Sequence, residues 1–183
     1  MATLTPTEQR RLGVVRPELL AALLQLMDAA KDAGYTPFIP EYGGTRDTVT
    51  QARLRADSLR QGGGSLAYPV AKPGTSRHEF GAAFDMQLQD GHDVDYAWLA
   101  AVGEQLGLKA GYYFAERGEG QKDPYHFQLN ESLSESIAKW RAMQDAGIVT
   151  REGLLPRPRS ISSSPRPPAP RSSGSSGPSG GNR

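Results

Sequence analysis

The chain is centred on the stretch Thr75-Ser76-Arg77-His78-Glu79-Phe80-Gly81-Ala82-Ala83-Phe84-Asp85-Met86. This stretch places an imidazole and a carboxylate, His78 and Asp85, seven residues apart among small and apolar side chains. A second pair follows in the segment 123–127, where Asp123 precedes His126 by three residues. Neither pair is informative alone, but together they offer two imidazoles and two carboxylates, which are ordinary ligands of a transition metal.

A catalytic zinc ion takes three protein ligands, which are imidazole nitrogens or carboxylate oxygens, and leaves one position to water. His78, Asp85 and His126 fill that quota, so we predict that they bind Zn²⁺. Asp123 is then the candidate general base, because a carboxylate that is not a ligand can accept a proton from water activated in this way. In an extended segment Asp123 and His126 would lie on opposite faces, so Pro124 must turn the chain for them to converge.

The local structure around His78 is constrained by its neighbours. His78 and Glu79 look like the start of the helical zinc motif His-Glu-x-x-His, but the fifth position is Ala82. Gly81 also disfavours a helix interior, where glycine costs about 1 kcal/mol relative to alanine. The sequence therefore predicts His78 in a loop or at the start of a strand, followed by a strand over 83–88.

The pattern Ser-x-His-x-x-Gly-x-Ala-x-Asp, followed by Asp/Glu-x-x-His, resembles the M15-type zinc peptidases of bacterial cell walls. This family includes D-alanyl-D-alanine carboxypeptidases and dipeptidases, and L-alanyl-D-glutamate endopeptidases such as phage endolysins. The matching residues are Ser76, His78, Gly81, Ala83, Asp85, Asp123 and His126. The resemblance implies a zinc site made by the two histidines and Asp85, with Asp123 as the base.

The resemblance runs from about residue 16 to residue 129 and extends more weakly to Arg46 and Gln51, which look like the family's substrate-contacting arginine and glutamine. Carboxypeptidase members often carry a tyrosine directly before the arginine, whereas residues 42–45 here are Tyr-Gly-Gly-Thr. An ordinary ion pair for Arg46 and an ordinary helix position for Gln51 are the alternatives. The hydroxyl of Ser76 is expected either to bond the substrate or to fix the loop.

Apolar spacing and helix-start signals predict four helices, beginning near residues 17, 47, 93 and 132. Strands are predicted over 35–40, 83–88, 108–116 and 127–129. Core packing is expected for Trp98, Tyr112 and Tyr113, and solvation for His92 in a polar turn. We therefore predict an α+β domain in which a small, mainly antiparallel sheet is flanked by helices, with the zinc site at one sheet face.

We divide the chain into an N-terminal arm (1–15), a zinc peptidase domain (16–131), a helix packed on that domain (132–155) and a tail (156–183). The tail is Pro, Ser, Gly and Arg with almost no apolar residue, so it is predicted to be disordered. Its five arginines and no acids give +5, which leaves 16 basic against 20 acidic residues, or −4, for the rest. Such a tail is either an inert linker or an arm for anionic wall polymers.

Composition excludes several other interpretations. The chain has no Cys, so disulfides and thiolate metal ligands are excluded. It has no run of eighteen apolar residues and no basic segment followed by an apolar core, so neither a membrane helix nor a secretory signal is predicted. We expect synthesis in a host cytoplasm and action at the cell wall, after release through a phage-encoded pore or from a virion.

The function expected from the sequence is zinc-dependent hydrolysis of a peptide bond in peptidoglycan, as an L-alanyl-D-glutamate endopeptidase acting as a phage endolysin or virion-associated lysin. A D-alanyl-D-alanine carboxypeptidase is the nearest alternative, and a non-catalytic wall-binding virion module is an alternative of another class. The expected partner is the stem peptide rather than nucleic acid, and the expected state is a monomer.

Overall fold

The computed structural model describes residues 2–60 and 70–149. Its α-helices are α1 (Pro6–Leu12), α2 (Pro17–Asp32), α3 (Thr48–Arg60), α4 (Asp93–Gln105) and α5 (Leu133–Asp145). Its strands are β1 (Pro37–Phe38), β2 (Ala83–Asp85), β3 (Gln87–Leu88), β4 (Leu108–Ala110) and β5 (His126–Leu129). Two short 3-10 helices cover Arg77–Phe80 and Gly111–Tyr113. The fold is α+β, as predicted.

The main sheet has the strand order β2-β5-β4, and all its pairs are antiparallel. Asp85 on β2 lies opposite His126 on β5, and Lys109 on β4 lies opposite Gln128 on β5. Residues directly opposite each other share a sheet face, and so do residues two apart on one strand. One face therefore carries Asp85, His126, Gln128 and Lys109. A separate pair of strands, β1 and β3, is also antiparallel.

The other face of the main sheet is covered by the hydrophobic core. Phe84 and Phe127 stack with ring centroids 5.4 Å apart, and both are fully buried. Leucines of α2 and α4 belong to the same core, and Gly103 of α4 lets that helix approach Phe127, because a Cβ there would lie 2.7 Å from the ring. Full burial of each phenylalanine contributes about 1.5–3 kcal/mol. The sheet thus separates an apolar core from a polar face.

Three predicted elements differ from the structure. The predicted strand over 83–88 is two strands in two sheets, because Met86 leaves the ladder and its N–H donates to Tyr125 O at 2.9 Å. The predicted strand over 108–116 ends at Ala110, where the chain enters a 3-10 helix. The strand over 35–40 is confined to Pro37–Phe38.

His78 lies in the 3-10 helix Arg77–Phe80, and not in a loop or at the start of a strand as predicted. A single 3-10 turn satisfies the local backbone groups without requiring the long helix that Gly81 disfavours. Gly81 ends this turn at φ +57°, in the left-handed region that glycine adopts most readily. A Cβ on Gly81 would also lie 2.6 Å from the ring of Trp140 on α5.

The four predicted helices are present, and the segment 1–15 contains a fifth, α1, that was not predicted. Thr5 and Glu8 cap α1 reciprocally, as Ser132 and Glu135 cap α5. Trp98, Tyr112 and Tyr113 pack against the core as expected, and His92 is exposed. The predicted tail at 156–183 lies outside the described residues. In the described ranges no helix has the length and apolarity needed to cross a membrane.

Candidate metal centre

Three predicted ligands converge at the edge of the main sheet. His78 Nε2, Asp85 Oδ1 and His126 Nδ1 form a triangle in which each of the three distances is 3.2 Å. An ion about 2.0–2.1 Å from three corners of a tetrahedron requires those corners to be about 3.3–3.4 Å apart. The triangle therefore matches the size that zinc requires, and its donor set of two imidazoles and one carboxylate suits zinc chemistry.

The outer nitrogen of each histidine is bound by an oxygen that accepts its proton. His78 Nδ1 donates to Gly44 O at 2.9 Å, and His126 Nε2 donates to Gln128 Oε1 at 3.1 Å. In the neutral rings these bonds leave His78 Nε2 and His126 Nδ1 as lone pairs aimed into the triangle. Three electron-pair donors that point at one spot repel one another unless a cation lies between them, so the arrangement favours a metal.

The segment 42–46, which we call the strap, holds two of the ligands, His78 in the 3-10 helix and Asp85 on β2. Gly43 O accepts from Asp85 N at 2.6 Å, and Gly44 O accepts from the His78 ring. Arg46 N donates to His78 O at 3.3 Å, while the Arg46 guanidinium pairs with Asp85 Oδ2 at 2.7 Å. The strap thus fixes His78 and Asp85 from outside the triangle and leaves Asp85 Oδ1 available inside it.

The strap is itself positioned by the end of α1. Thr45 N donates to Leu12 O at 2.8 Å, and Thr45 Oγ1 donates to Val14 O. A Cβ on Gly44 would overlap the backbone of Leu12, which cannot move without displacing the helix end. Leu12 is almost fully buried, so α1 is anchored in the core. Glycine at position 44 therefore allows the close approach that puts its carbonyl on His78.

Electrostatics prepare the histidines for metal binding in different ways. Burial lowers the pKa of His78 to about 4, so its ring is neutral at pH 7 and can act as a ligand. Burial would also lower the pKa of His126, but the hydrogen bond and negative charge of Asp85 outweigh it and raise that pKa. Because a metal ion binds the unprotonated ring, a metal at His126 competes with a proton as the pH falls.

The Asp85 carboxyl is held in its charged form. Burial alone would raise its pKa, but the adjacent His78 and His126 rings and the Arg46 guanidinium outweigh that effect and keep the pKa below its usual range. Asp85 is consequently a carboxylate at any pH at which the protein would bind a metal.

Asp123 reaches the same cleft by a tight turn. Asp123 O accepts from His126 N at 3.3 Å, which places Pro124 at the second position of a four-residue turn. This is the turn that the sequence required for Asp123 and His126 to converge. Burial raises the pKa of Asp123, with His126 opposing the shift and the charge of Asp85 adding to it. Gly111 packs against this turn, because a Cβ there would lie 2.6 Å from Asp123 O.

The three predicted substrate-binding residues lie in different environments. Arg46 and Ser76 line a cleft of about 680 Å³ together with the triangle and Asp123. Ser76 is buried, and its backbone N–H is bound by Glu79, so its loop is fixed. Gln51 is fully buried and does not line the cleft; its amide donates to Ala71 O at 2.8 Å, and Arg46 donates to its Oε1 at 3.5 Å.

Sequence reasoning missed the groups that orient the ligands. Gln128 carried a signal, since a residue two positions after His126 on a strand shares its face. No sequence signal marks the Gly44 carbonyl, because every residue has a backbone oxygen whatever its side chain. For Arg46 the sequence left open a contact with substrate or an ordinary ion pair, and in the structure its guanidinium pairs with Asp85.

Comparisons with known proteins place the chain in context. A sequence model of the family described as VanY, D-alanyl-D-alanine carboxypeptidase, matches residues 13–131. This range contains the triangle, the strap and Asp123. No curated protein sequence matches the chain.

Solved structures share the fold at low sequence identity. DacB from Streptococcus pneumoniae D39 is 23% identical, with a TM-score of 0.52 over 76% of this chain and 80% of that chain. A mutant of the vancomycin resistance D,D-pentapeptidase VanY in complex with Zn(II) is 21% identical, with a TM-score of 0.53 over 69% and 78%. The LdcB LD-carboxypeptidase is 24% identical, with a TM-score of 0.52 over 75% and 78%.

Proposed function

The chain belongs to the VanY family of D-alanyl-D-alanine carboxypeptidases, and on that premise we propose that it is a zinc peptidase that removes a terminal D-alanine from peptidoglycan stem peptides. The observation that carries the proposal is the triangle of 3.2 Å distances beside Asp123, within the matched residues. The matching family is described as D-alanyl-D-alanine carboxypeptidase, which supports this class of substrate.

The proposed mechanism assigns separate roles to the ligands and to the base. His78, Asp85 and His126 would hold zinc, which when bound supplies Lewis-acid polarisation and a water of lowered pKa. Asp123 takes the proton from the attacking water and returns it to the amine nitrogen as the peptide C–N bond breaks. The raised pKa of Asp123 suits a group that must hold this proton between the two steps.

The other predicted site residues take positioning roles in this proposal. Arg46 holds Asp85 Oδ2 so that Oδ1 faces the triangle. Ser76 faces the cleft and is proposed to bond the peptide. Gln51 supports the cleft from behind by fixing Ala71, which lines it.

The L-alanyl-D-glutamate endopeptidase predicted from the sequence stays the second candidate. The size of the cleft supports it, because a volume of about 680 Å³ has room for more than one peptide residue beside the metal site. The half-buried carboxylate of Asp123 beside His126 argues against a non-catalytic binding module, which needs no base. Delivery by a phage pore or a virion stays a prediction.

The deciding experiment is mass spectrometry of fragments that the zinc-loaded protein releases from purified peptidoglycan. Loss of one terminal D-alanine per stem is expected, and chelation of the metal should abolish it. New L-alanyl and D-glutamyl ends would replace this proposal by the endopeptidase. Release of no fragment from several wall types by the zinc-loaded protein would contradict both and favour a binding module.

A further inference from the structure

The cleft contains an ion pair that neither the metal site nor the proposed chemistry uses. Lys109 Nζ lies 2.6 Å from Glu119 Oε1, and both residues line the cleft. Lys109 lies opposite Gln128, whose Oε1 is 3.1 Å from His126 Nε2. Side chains directly opposite each other on neighbouring strands have Cβ atoms about 4.5–5.5 Å apart. The ammonium group therefore belongs to the same sheet face as the ligands, one strand away from His126.

Two other cations line this cleft in the described part of the chain, and both have well-enclosed partners. The Arg46 guanidinium pairs with Asp85, whose side chain is 18% exposed. Arg77 donates to Ser136 Oγ at 2.7 Å, and Ser136 is fully buried. Both arginines are thus committed to positions in the scaffold.

Glu119, the partner of Lys109, is more exposed than the partners of the two arginines. The Glu119 side chain is 35% exposed and lies in a turn between Gly118 and Gly120, which both have positive φ. Exposed ion pairs contribute little to stability, so exchanging Glu119 for another carboxylate costs little. A lysine ammonium is also a point charge that accepts a carboxylate from several directions, which suits exchange better than the rigid fork of an arginine.

We propose that Lys109 forms a subsite for a carboxylate of the peptide substrate and that Glu119 occupies this subsite when no peptide is bound. The inference rests on the proposed function, because it takes the ligand to be a peptidoglycan stem peptide. A stem with diaminopimelate at its third position carries three free carboxylates: on D-glutamate, on the diaminopimelate side chain and at the C-terminus. The subsite takes one of them and selects stems in which that group is not amidated.

The test compares one reference peptide with three amidated versions. The reference is L-Ala-γ-D-Glu-meso-diaminopimelate-D-Ala-D-Ala, and each version replaces one of its carboxylates by an amide. We expect amidation at one position to lower kcat/KM of the zinc-loaded wild type about tenfold, as loss of one charged hydrogen bond would. Lys109→Met should lower kcat/KM for the reference peptide by the same factor. The variant should then hydrolyse that amide and the reference peptide equally well, because amidation and the substitution remove the same interaction.

Two further variants separate a subsite from a structural bridge. Glu119→Gln removes the competing carboxylate and is expected to raise kcat/KM for the reference peptide. A fall equal to that of Lys109→Met would instead make the pair a fixed bridge and overturn the proposal. Lys122→Met is the matched control, because Lys122 pairs with Asp93 at 2.6 Å and does not line the cleft. It should keep the wild-type response to amidation.

A Lys109→Met protein that still distinguishes the same amide as the wild type would overturn the subsite. If the wild type hydrolyses none of the four peptides, the proposed function fails and the subsite is judged by calorimetric binding of the same peptides. Weaker binding of the reference peptide by Lys109→Met than by wild type then supports the subsite, and equal binding overturns it.

Discussion

A substitution of Asp123 can separate zinc binding from catalysis. Its carboxylate lies beside the triangle without belonging to the three ligand atoms, and burial raises its pKa. We expect Asp123→Asn to retain zinc and to lower kcat by about 10²–10⁴, the usual contribution of a positioned acid–base group. Atomic absorption measures whether the variant retains zinc, and turnover of a stem peptide measures its kcat. A parallel fall in zinc content would make Asp123 a ligand.

Gln128 sets the orientation of His126 through one hydrogen bond. Gln128→Leu keeps the approximate size of the side chain but removes the oxygen that accepts from His126 Nε2. We expect zinc affinity to fall about 10–100-fold, which is the usual cost of losing a group that orients a metal-binding histidine.

Competition with a chelating dye measures the zinc affinity of Gln128→Leu directly. Gln89→Leu is the control, because Gln89 is exposed and lies beyond β3, outside the cleft lining. Equal zinc affinity in the two variants would show that the His126 ring is oriented by its backbone alone.

At the scale of elements, the strap explains why the metal site depends on α1. Because Gly44 has no side chain, its backbone lies directly against Leu12, and in this position its carbonyl reaches the His78 ring. Gly44→Ala should therefore force the strap away from α1, costing about 1–3 kcal/mol of stability as other overpacked substitutions do. It should also weaken zinc binding, since the displaced carbonyl no longer orients the His78 ring.

Urea denaturation of the metal-free protein and zinc titration measure the two effects of Gly44→Ala separately. Loss of stability with unchanged zinc affinity would mean that the strap is a structural contact alone. Unchanged stability would mean that α1 moves without cost and does not position the strap.

The elements that were predictable are those whose signals are local. The apolar spacing of α2 and the capping box of α5 lie within single helices, so both follow from the sequence. The break at Met86 and the end of β4 at Ala110 depend on contacts with the distant Tyr125 and Asp123, which no local pattern records. The same holds for the site: ligand types are visible in the sequence, whereas the carbonyl that orients a ligand is not.

At the scale of the whole molecule, a buried ion pair joins two segments that are far apart in the sequence, the start of α2 and the residues just before α5. Arg16, at the start of α2, lies 2.5 Å from Glu131 Oε1, which also accepts from Ser136 Oγ at 2.5 Å. Lys139 of α5 binds the other oxygen of Glu131 at 2.7 Å. The Arg16 N–H donates to Gly81 O, directly after the turn that carries His78. This cluster of Arg16, Glu131, Ser136 and Lys139 holds α5 against the segment that carries His78.

The cluster makes stability depend on pH through Glu131. Burial alone would raise the pKa of Glu131, but hydrogen bonds from Lys139, Ser136 and Arg16 outweigh it and lower the pKa to about 2 from 4.5. A carboxyl whose folded pKa is depressed contributes stability above its unfolded pKa and loses it as pH falls towards the folded value. The contribution of Glu131 is therefore complete above pH 4.5 and disappears between pH 4.5 and about pH 2.

Glu131→Gln tests this dependence, because it keeps the shape of the side chain and removes its charge. We expect the variant to lose about 2–3 kcal/mol at pH 7 and to differ progressively less from wild type as pH falls below 4.5. Denaturant unfolding of the metal-free proteins at pH 7, 4 and 3 measures the difference. Glu18→Gln is the control, since Glu18 also faces Arg16 but is half exposed, and should change stability by less than about 0.5 kcal/mol. A Glu131→Gln difference that stays constant with pH would mean that the cluster acts through packing and not through charge.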